Sequence, residues 1–174
     1  MIQSNVIRFL LLLVCVTQSA IALEVGDSAP CVVLDQVAAN GSTVSGCIRD
    51  ATQNSQTFTI IDFFSIQCET CLTNLPAAND LAYEVSTTAA FRYVSVDRKE
   101  ADVRAFVKSH QENFNVPAAF DVKQRAMAAY GVTSTPTMFV LKHTGAGTYS
   151  IVYKHGGLLT PEVVNEIKRS LIED

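Results

Sequence analysis

The chain has 174 residues, 48% of them apolar, with 13 Lys and Arg against 17 Asp and Glu and a formal net charge of −4. This is enough for one domain with a sizeable core and calls for no second one. No run of Lys and Arg forms a phosphate-binding stripe, which argues against nucleic acid and anionic membrane surfaces as partners.

Residues 1–22 read as an export signal rather than part of the fold. Arg8 supplies a positive charge, Phe9 to Val16 is unbroken apolar, and Ala20-Ile21-Ala22 is a small-residue cleavage site, so cleavage after Ala22 is expected. The apolar run is too short to span a bilayer; retention of the segment as an anchor is the alternative. Cys15 would leave with it, and Leu13 and Val14 lack the small residue expected ahead of a lipidated cysteine. Arg8 is the segment's only charge, so its removal takes the net charge from −4 to −5. The domain then covers residues 23–174, with no repeat, low-complexity tract or linker to divide it.

Export places the four remaining cysteines where thiols tend to end as disulfides. Cys31 opens the apolar strand Cys31-Val32-Val33-Leu34, and Cys47 closes a second extended segment after a turn at Asn40-Gly41. A hairpin brings the two together. A structural bridge there closes a loop of about 15 residues and is worth ~3 kcal/mol in the chain-entropy model. Two unpaired buried thiols are the alternative.

Ile60-Ile61-Asp62-Phe63-Phe64 is then an apolar strand that runs into Cys68-Glu69-Thr70-Cys71. Cysteines two residues apart at the start of a helix cycle between dithiol and disulfide with little backbone movement. Cys68 meets the unpaired N–H groups and positive dipole end of the helix, which favour its thiolate. Half of a zinc site would need two further close ligands, and none of His110, His143 and His155 is paired that way. A purely structural Cys68–Cys71 bridge closes so small a ring that it removes little chain entropy. Redox exchange is the leading reading. Asp62, a lone acid in an apolar strand, is expected to have a raised pKa and to accept a proton from Cys71 near neutral pH; the alternative is a strand-end acid turned to solvent.

From Cys71 to about Ser86 the spacing of Leu75, Leu81, Ala82 and Val85 predicts a helix, with Pro76 kinking rather than ending it. Phe91 to Val96 is an alternating strand, and a helix from about Glu100 to Ser109 buries Val103, Phe106 and Val107 and ends at His110. Val116 to Asp121 is short and extended, and Lys123 to Tyr130 is a helix closed by a left-handed Gly131. Pro136 at the mouth of the strand Thr137 to Leu141 suits an edge start or a cis turn. Gly145 and Gly147 mark a hairpin into the strand Tyr149 to Lys154, and Gly156-Gly157 break it. Thr160-Pro161 starts a last helix carrying Val163, Val164, Ile167 and Leu171. His143 and His155 are expected in solvated loops. The alternation implies an α/β fold, a mixed central sheet with helices on both faces.

These residues resemble the thioredoxin fold and, within it, the exported reductases of the TlpA and ResA type. Asp62-Phe63-Phe64, Cys68-Glu69-Thr70-Cys71 and Pro76 resemble the family's strand, active-site turn and kinked helix, and Thr135-Pro136-Thr137 its cis-proline loop. Phe91 to Asp121 resembles its central αβ insertion, and Gly26-Asp27-Ser28-Ala29-Pro30 the approach to its N-terminal hairpin. The resemblance implies Cys68 as attacking thiol, Cys71 as resolving thiol and Asp62 as the buried acid. It further implies that Pro136 packs on the disulfide while a backbone group beside Thr135 pairs with the substrate. Gln67 stands where the family carries tryptophan, making the docking surface more polar, and Asn74 stands where ResA-like members carry glutamate.

The function that follows is thiol–disulfide exchange on exported protein thiols; the residues do not fix its direction, and the resemblance implies reduction. The resemblance extends this to a periplasmic setting, cytochrome c apoproteins or copper-site cysteines as substrates, a membrane-bound electron donor, no cofactor, no metal and a monomer. A negative Glu69 beside Cys68 should raise its thiol pKa and disfavour the strongly oxidising extreme. Two other classes compete. A peroxiredoxin-type peroxidase needs proline seven residues before its cysteine, where this chain has Ile61, although Ser65 fits its second requirement. A non-catalytic module holding Cu(I) on Cys68 and Cys71 lacks a neighbouring methionine or histidine.

Overall fold

The computed structural model describes residues 22–37, 41–50, 56–114 and 116–172. The expected export segment up to Ile21, and Asn40 of the expected turn, lie outside the described residues. In chain order the elements are β1 (Val33–Val37), β2 (Thr43–Cys47), β3 (Phe58–Phe64), α1 (Glu69–Glu84), β4 (Ala89–Ser95), α2 (Glu100–Ser109), β5 (Ala118–Phe120), α3 (Arg125–Ala129), β6 (Thr137–Gly145), β7 (Thr148–Gly156) and α4 (Pro161–Ser170). One sheet carries all seven strands in the order β2-β1-β5-β4-β3-β6-β7.

β3 lies inside the sheet, between β4 and β6, and every one of its residues is buried, the pattern of a strand covered on both faces. It pairs parallel with β4 and antiparallel with β6. On one face Ile60 and Phe64 pack with Leu75, Ala78 and Leu81 of α1 and Ile167 of α4. On the other, Ile61 and Phe63 pack with Ala126 of α3 and Tyr130. The N-terminal hairpin is the antiparallel pair β1–β2, and α2 with β5 forms the αβ insertion. Arg92, buried in β4, fastens the hairpin by donating to Gln36 Oε1 at 2.7 Å and to the Asp50 carbonyl at 2.8 Å.

Several boundaries differ from the sequence reading for identifiable reasons. α1 starts at Glu69, two residues early, because Cys68 itself caps it, and it continues through Pro76. The third helix begins at Arg125 rather than Lys123. There the Asp121 carboxylate accepts from the Arg125 and Met127 amides at 2.7 and 2.8 Å, while Gln124 is left-handed with φ 54°. β7 includes Gly156, so the break falls at Gly157 alone, with φ 103°. His143 and His155 were expected in loops; the strands of the final hairpin extend far enough to include both.

Candidate active site

The C-terminal end of β3 delivers the chain into the turn Ser65–Gln67, and one carboxylate fixes that turn. Asp97, just past β4, accepts from Ser65 Oγ at 2.7 Å, the Ile66 amide at 3.0 Å and Ser95 Oγ at 2.8 Å. Cys68 follows as the N-cap of α1, and its Sγ accepts from the Cys71 amide at 3.1 Å. A sulfur placed there faces the orphan N–H groups of the first turn, which stabilise negative charge on it. Cys68 and Cys71 are joined as a disulfide with a Cα–Cα distance of 5.2 Å. The two ends differ in access. Cys68 is half-buried, whereas Cys71 is only 2% exposed, packed with Leu75 and the Phe64 face of the core.

The loop before β6 lies against this pair. Thr135–Pro136 is a cis peptide, and the Thr135 carbonyl oxygen is 3.4 Å from Cys68 Sγ. Pro136 is buried and its carbonyl accepts from the Gly157 amide at 3.2 Å, so it is used within the fold. Gln67 is exposed and, with Thr135 and Lys99, lines a cleft of about 500 Å³ beside Cys68.

Asp62 lies beneath, 4% exposed in the middle of the sheet, between Tyr93 of β4 and Met138 of β6. Among the described residues its Oδ1 has no hydrogen-bond partner. Burial in apolar surroundings penalises the carboxylate and pushes its pKa from 3.8 up to about 8. The acid is therefore buried, and the solvent-facing alternative does not apply to it. It borders a small void, too narrow to admit water, that Asn74, Pro136, His155 and Leu159 also line.

Residues 56–146 match the Thioredoxin-like family model, more than half of the chain. The chain belongs to the thioredoxin-like family. It is 27% identical over 110 residues to the thiol-disulfide oxidoreductase ResA of Bacillus subtilis, a match covering 58% of this chain and 60% of that protein's length. Among solved structures it is similar to a Chlorobium tepidum protein described as a thiol:disulfide interchange protein DsbE, with a TM-score of 0.68 and 22% identity, covering 87% of this chain and 97% of the other. It is also similar to the exposed lipoprotein thioredoxin Etrx1 of Streptococcus pneumoniae, with a TM-score of 0.63 and 21% identity, covering 80% and 98%. At these identities the solved structures show a shared fold.

Within this thioredoxin-like domain, Cys68, Cys71 and Thr135 come together beyond the C-terminal end of β3, with Gln67 at the rim, while Asp62 lies deeper and shares a void with Pro136. Cys31 and Cys47 do not join them; they are on the β1–β2 hairpin, separated from β3 by β5 and β4. They form a second disulfide with a Cα–Cα distance of 5.4 Å. Cys47 is 9% exposed, whereas Cys31 is at the surface, so the bridge is buried at one end only. Cys31 precedes β1 and carries no inward-facing ladder position. Among the described residues no group of three His, Cys, Asp or Glu side chains is arranged to hold a metal, and no helix is long and apolar enough to cross a membrane.

Sequence reasoning missed two residues that build the site. Asn74 Nδ2 donates to the Gly157 carbonyl at 2.9 Å and Asn74 Oδ1 accepts from the Leu159 amide at 2.9 Å, which clamps α1 to the loop after β7. Asp97, the residue that follows the strand Phe91 to Val96, holds the turn before Cys68. No local pattern announces either contact.

Proposed function

We propose that the chain is an exported thiol–disulfide oxidoreductase that reduces protein disulfides through a Cys68/Cys71 dithiol–disulfide cycle. The observation that carries this reading is the asymmetry of the pair, a helix-capping, half-exposed Cys68 bonded to a buried Cys71. An exchange nucleophile must reach its substrate, and a resolving thiol must not compete with it. Cys68 thiolate attacks a substrate disulfide, forming the mixed disulfide and releasing one substrate thiolate. Asp62 takes the proton of Cys71, and the Cys71 thiolate attacks the Cys68 sulfur, which regenerates the Cys68–Cys71 disulfide and frees the second substrate thiolate. Thr135 and Gln67 form the edge on which the substrate chain rests, and Cys31–Cys47 serves as a structural bridge.

Export is supported by the residue pattern of 1–22 and by the names of similar proteins, one of which is an exposed lipoprotein. Placement in the periplasm, a membrane-bound electron donor, and substrates such as cytochrome c apoproteins complete the proposal. The test uses the protein lacking residues 1–22. Cys68→Ser abolishes insulin reduction, while Cys71→Ser accumulates mixed disulfides on Cys68. Alkylation by limiting reagent that labels Cys71 faster than Cys68 would overturn the assignment.

A further inference from the structure

One buried hydroxyl on the Asp62 face of the sheet is unused by the chemistry above. Tyr93 of β4 is fully buried and stands in register with Asp62 on the adjacent parallel strand. Matched positions on adjacent strands point to the same face. Its ring is held among Phe64, Phe91 and Phe114, at centroid distances of 5.7, 5.1 and 4.9 Å. These rings offer the hydroxyl no partner, and among the described residues Tyr93 Oη is buried without a hydrogen bond, as is Asp62 Oδ1. Buried polar groups are almost always paired, because leaving one unpaired is destabilising. Here two such atoms belong to neighbouring positions, one a donor and the other an acceptor. Each lacks a bond that the other is chemically able to supply.

We propose that Tyr93 is a positioning residue whose hydroxyl donates to the Asp62 carboxylate when Asp62 is ionised, and so sets the pH at which Asp62 accepts the Cys71 proton. This rests on the reading of Asp62 as the base of the resolving step. No proton passes from Tyr93. Its O–H bonds to the carboxylate, and the bond weakens when the proton leaving Cys71 Sγ arrives on Asp62 and neutralises it. Burial, and then the nearby Asp62 charge, hold the Tyr93 hydroxyl well above its ordinary pKa, so it stays a donor and never competes as a base. The other groups around Asp62 are Asn74 from α1, with Cys71 three residues before it on the same helix, Met138 from β6 and His155 from β7. Of these only Cys71 and His155 ionise. The His155 Nε2 is 3.1 Å from the Leu158 carbonyl, and Asn74 is committed to Gly157 and Leu159.

The experiment follows Asp62 directly, by NMR titration of ¹³Cγ-labelled aspartate in the oxidised full domain, for wild type and Tyr93→Phe. The substitution removes one oxygen and keeps the packed ring; near-ultraviolet circular dichroism monitors that packing. The wild-type midpoint is expected below the value of about 8 that burial alone gives, and Tyr93→Phe moves it up by about one unit, the size expected for a hydrogen bond to a charged group. Resolution of a Cys68 mixed disulfide at pH 7 then slows about five- to tenfold and converges with wild type at high pH. An Asp62 midpoint unchanged in Tyr93→Phe overturns the proposal, whatever the rates do. A shifted midpoint with unchanged resolution rates upholds the bond to Tyr93 and overturns the role of Asp62 as base. If Tyr93→Phe loses its near-ultraviolet signal, the wild-type midpoint decides alone, and a value at or above 8 refutes the donor.

Discussion

Asp62 imposes a stability cost that depends on pH, and replacing it with asparagine exposes that cost. The native carboxyl holds its proton up to a pKa of about 8, whereas the unfolded chain releases it near the ordinary 3.8. Between these values the native state binds more protons than the unfolded one, so the contribution of Asp62 to stability falls as pH rises, and it levels off above pH 8. At about 1.4 kcal/mol per pH unit, the cost is roughly 4 kcal/mol at pH 7 and roughly 6 kcal/mol above pH 8, as ceilings, and nearly nothing at pH 4. Asp62→Asn removes the charge but leaves a buried amide without partners, which costs about 1–3 kcal/mol at every pH. The expected outcome is a variant about 1–3 kcal/mol more stable than wild type at pH 7, and less stable than wild type at pH 4. Urea unfolding of the oxidised proteins at pH 4, 7 and 9 reads this as a crossing of midpoints, and the change from pH 4 to pH 7 is independent of the amide cost. A stability difference that stays constant across these pH values would mean that Asp62 ionises normally in the native state, and the reasoning from its burial would be wrong.

Asn74→Ala strands the Leu159 amide and the Gly157 carbonyl, and urea unfolding should show a loss of about 2–4 kcal/mol; a loss below about half a kcal/mol would mean that the clamp contributes nothing. Under graded dithiothreitol, alkylation and mass spectrometry should show Cys68–Cys71 opening first. The surface position of Cys31 leaves its sulfur open to attack, so survival of Cys31–Cys47 must come from the five-residue β1–β2 ladder, which includes Cys47 and begins two residues after Cys31. Finding Cys31 and Cys47 open first would remove its reading as a structural bridge.

The parts of the fold that were legible in the sequence are those decided by local periodicity. Phe58 to Phe64 is continuously apolar apart from Thr59 and Asp62, and only a strand covered on both faces uses such a run. α2 was readable to the residue because Val103, Phe106 and Val107 lie on one helical stripe. Cys68 and Cys71 were readable because their spacing and the helix that follows are contiguous. What escaped was made by distant partners. Asn74 meets Gly157 and Leu159 across 83 and 85 residues, and Asp97 meets Ser65 across 32. Either residue taken in its own neighbourhood is an unremarkable polar side chain. His155 was missed differently: the glycines after it suggested a loop, but β7 runs one residue beyond it, and its register with Met138 turns it towards the void beside Asp62.

The clamp and the buried acid depend on each other. Asp62 keeps its raised pKa only while its surroundings stay dry, since water reaching the carboxylate would solvate its charge and return it towards 3.8. Dryness is maintained by the wall that Asn74 and Pro136 share, because Asn74 binds Gly157, and Gly157 in turn donates to the Pro136 carbonyl. A glutamate at position 74 could accept from Leu159 but not donate to Gly157, and when ionised it would place a second negative charge on the same void. Two carboxylates there would titrate as a coupled pair, and neither would have a midpoint of its own. Asparagine satisfies both backbone groups while adding no charge, which leaves Asp62 the only carboxylate among the described residues that line the void. The proton affinity of Asp62 is thus set by its burial beside an uncharged Asn74, and a change at residue 74 should be felt at Asp62 before it is felt at the sulfurs.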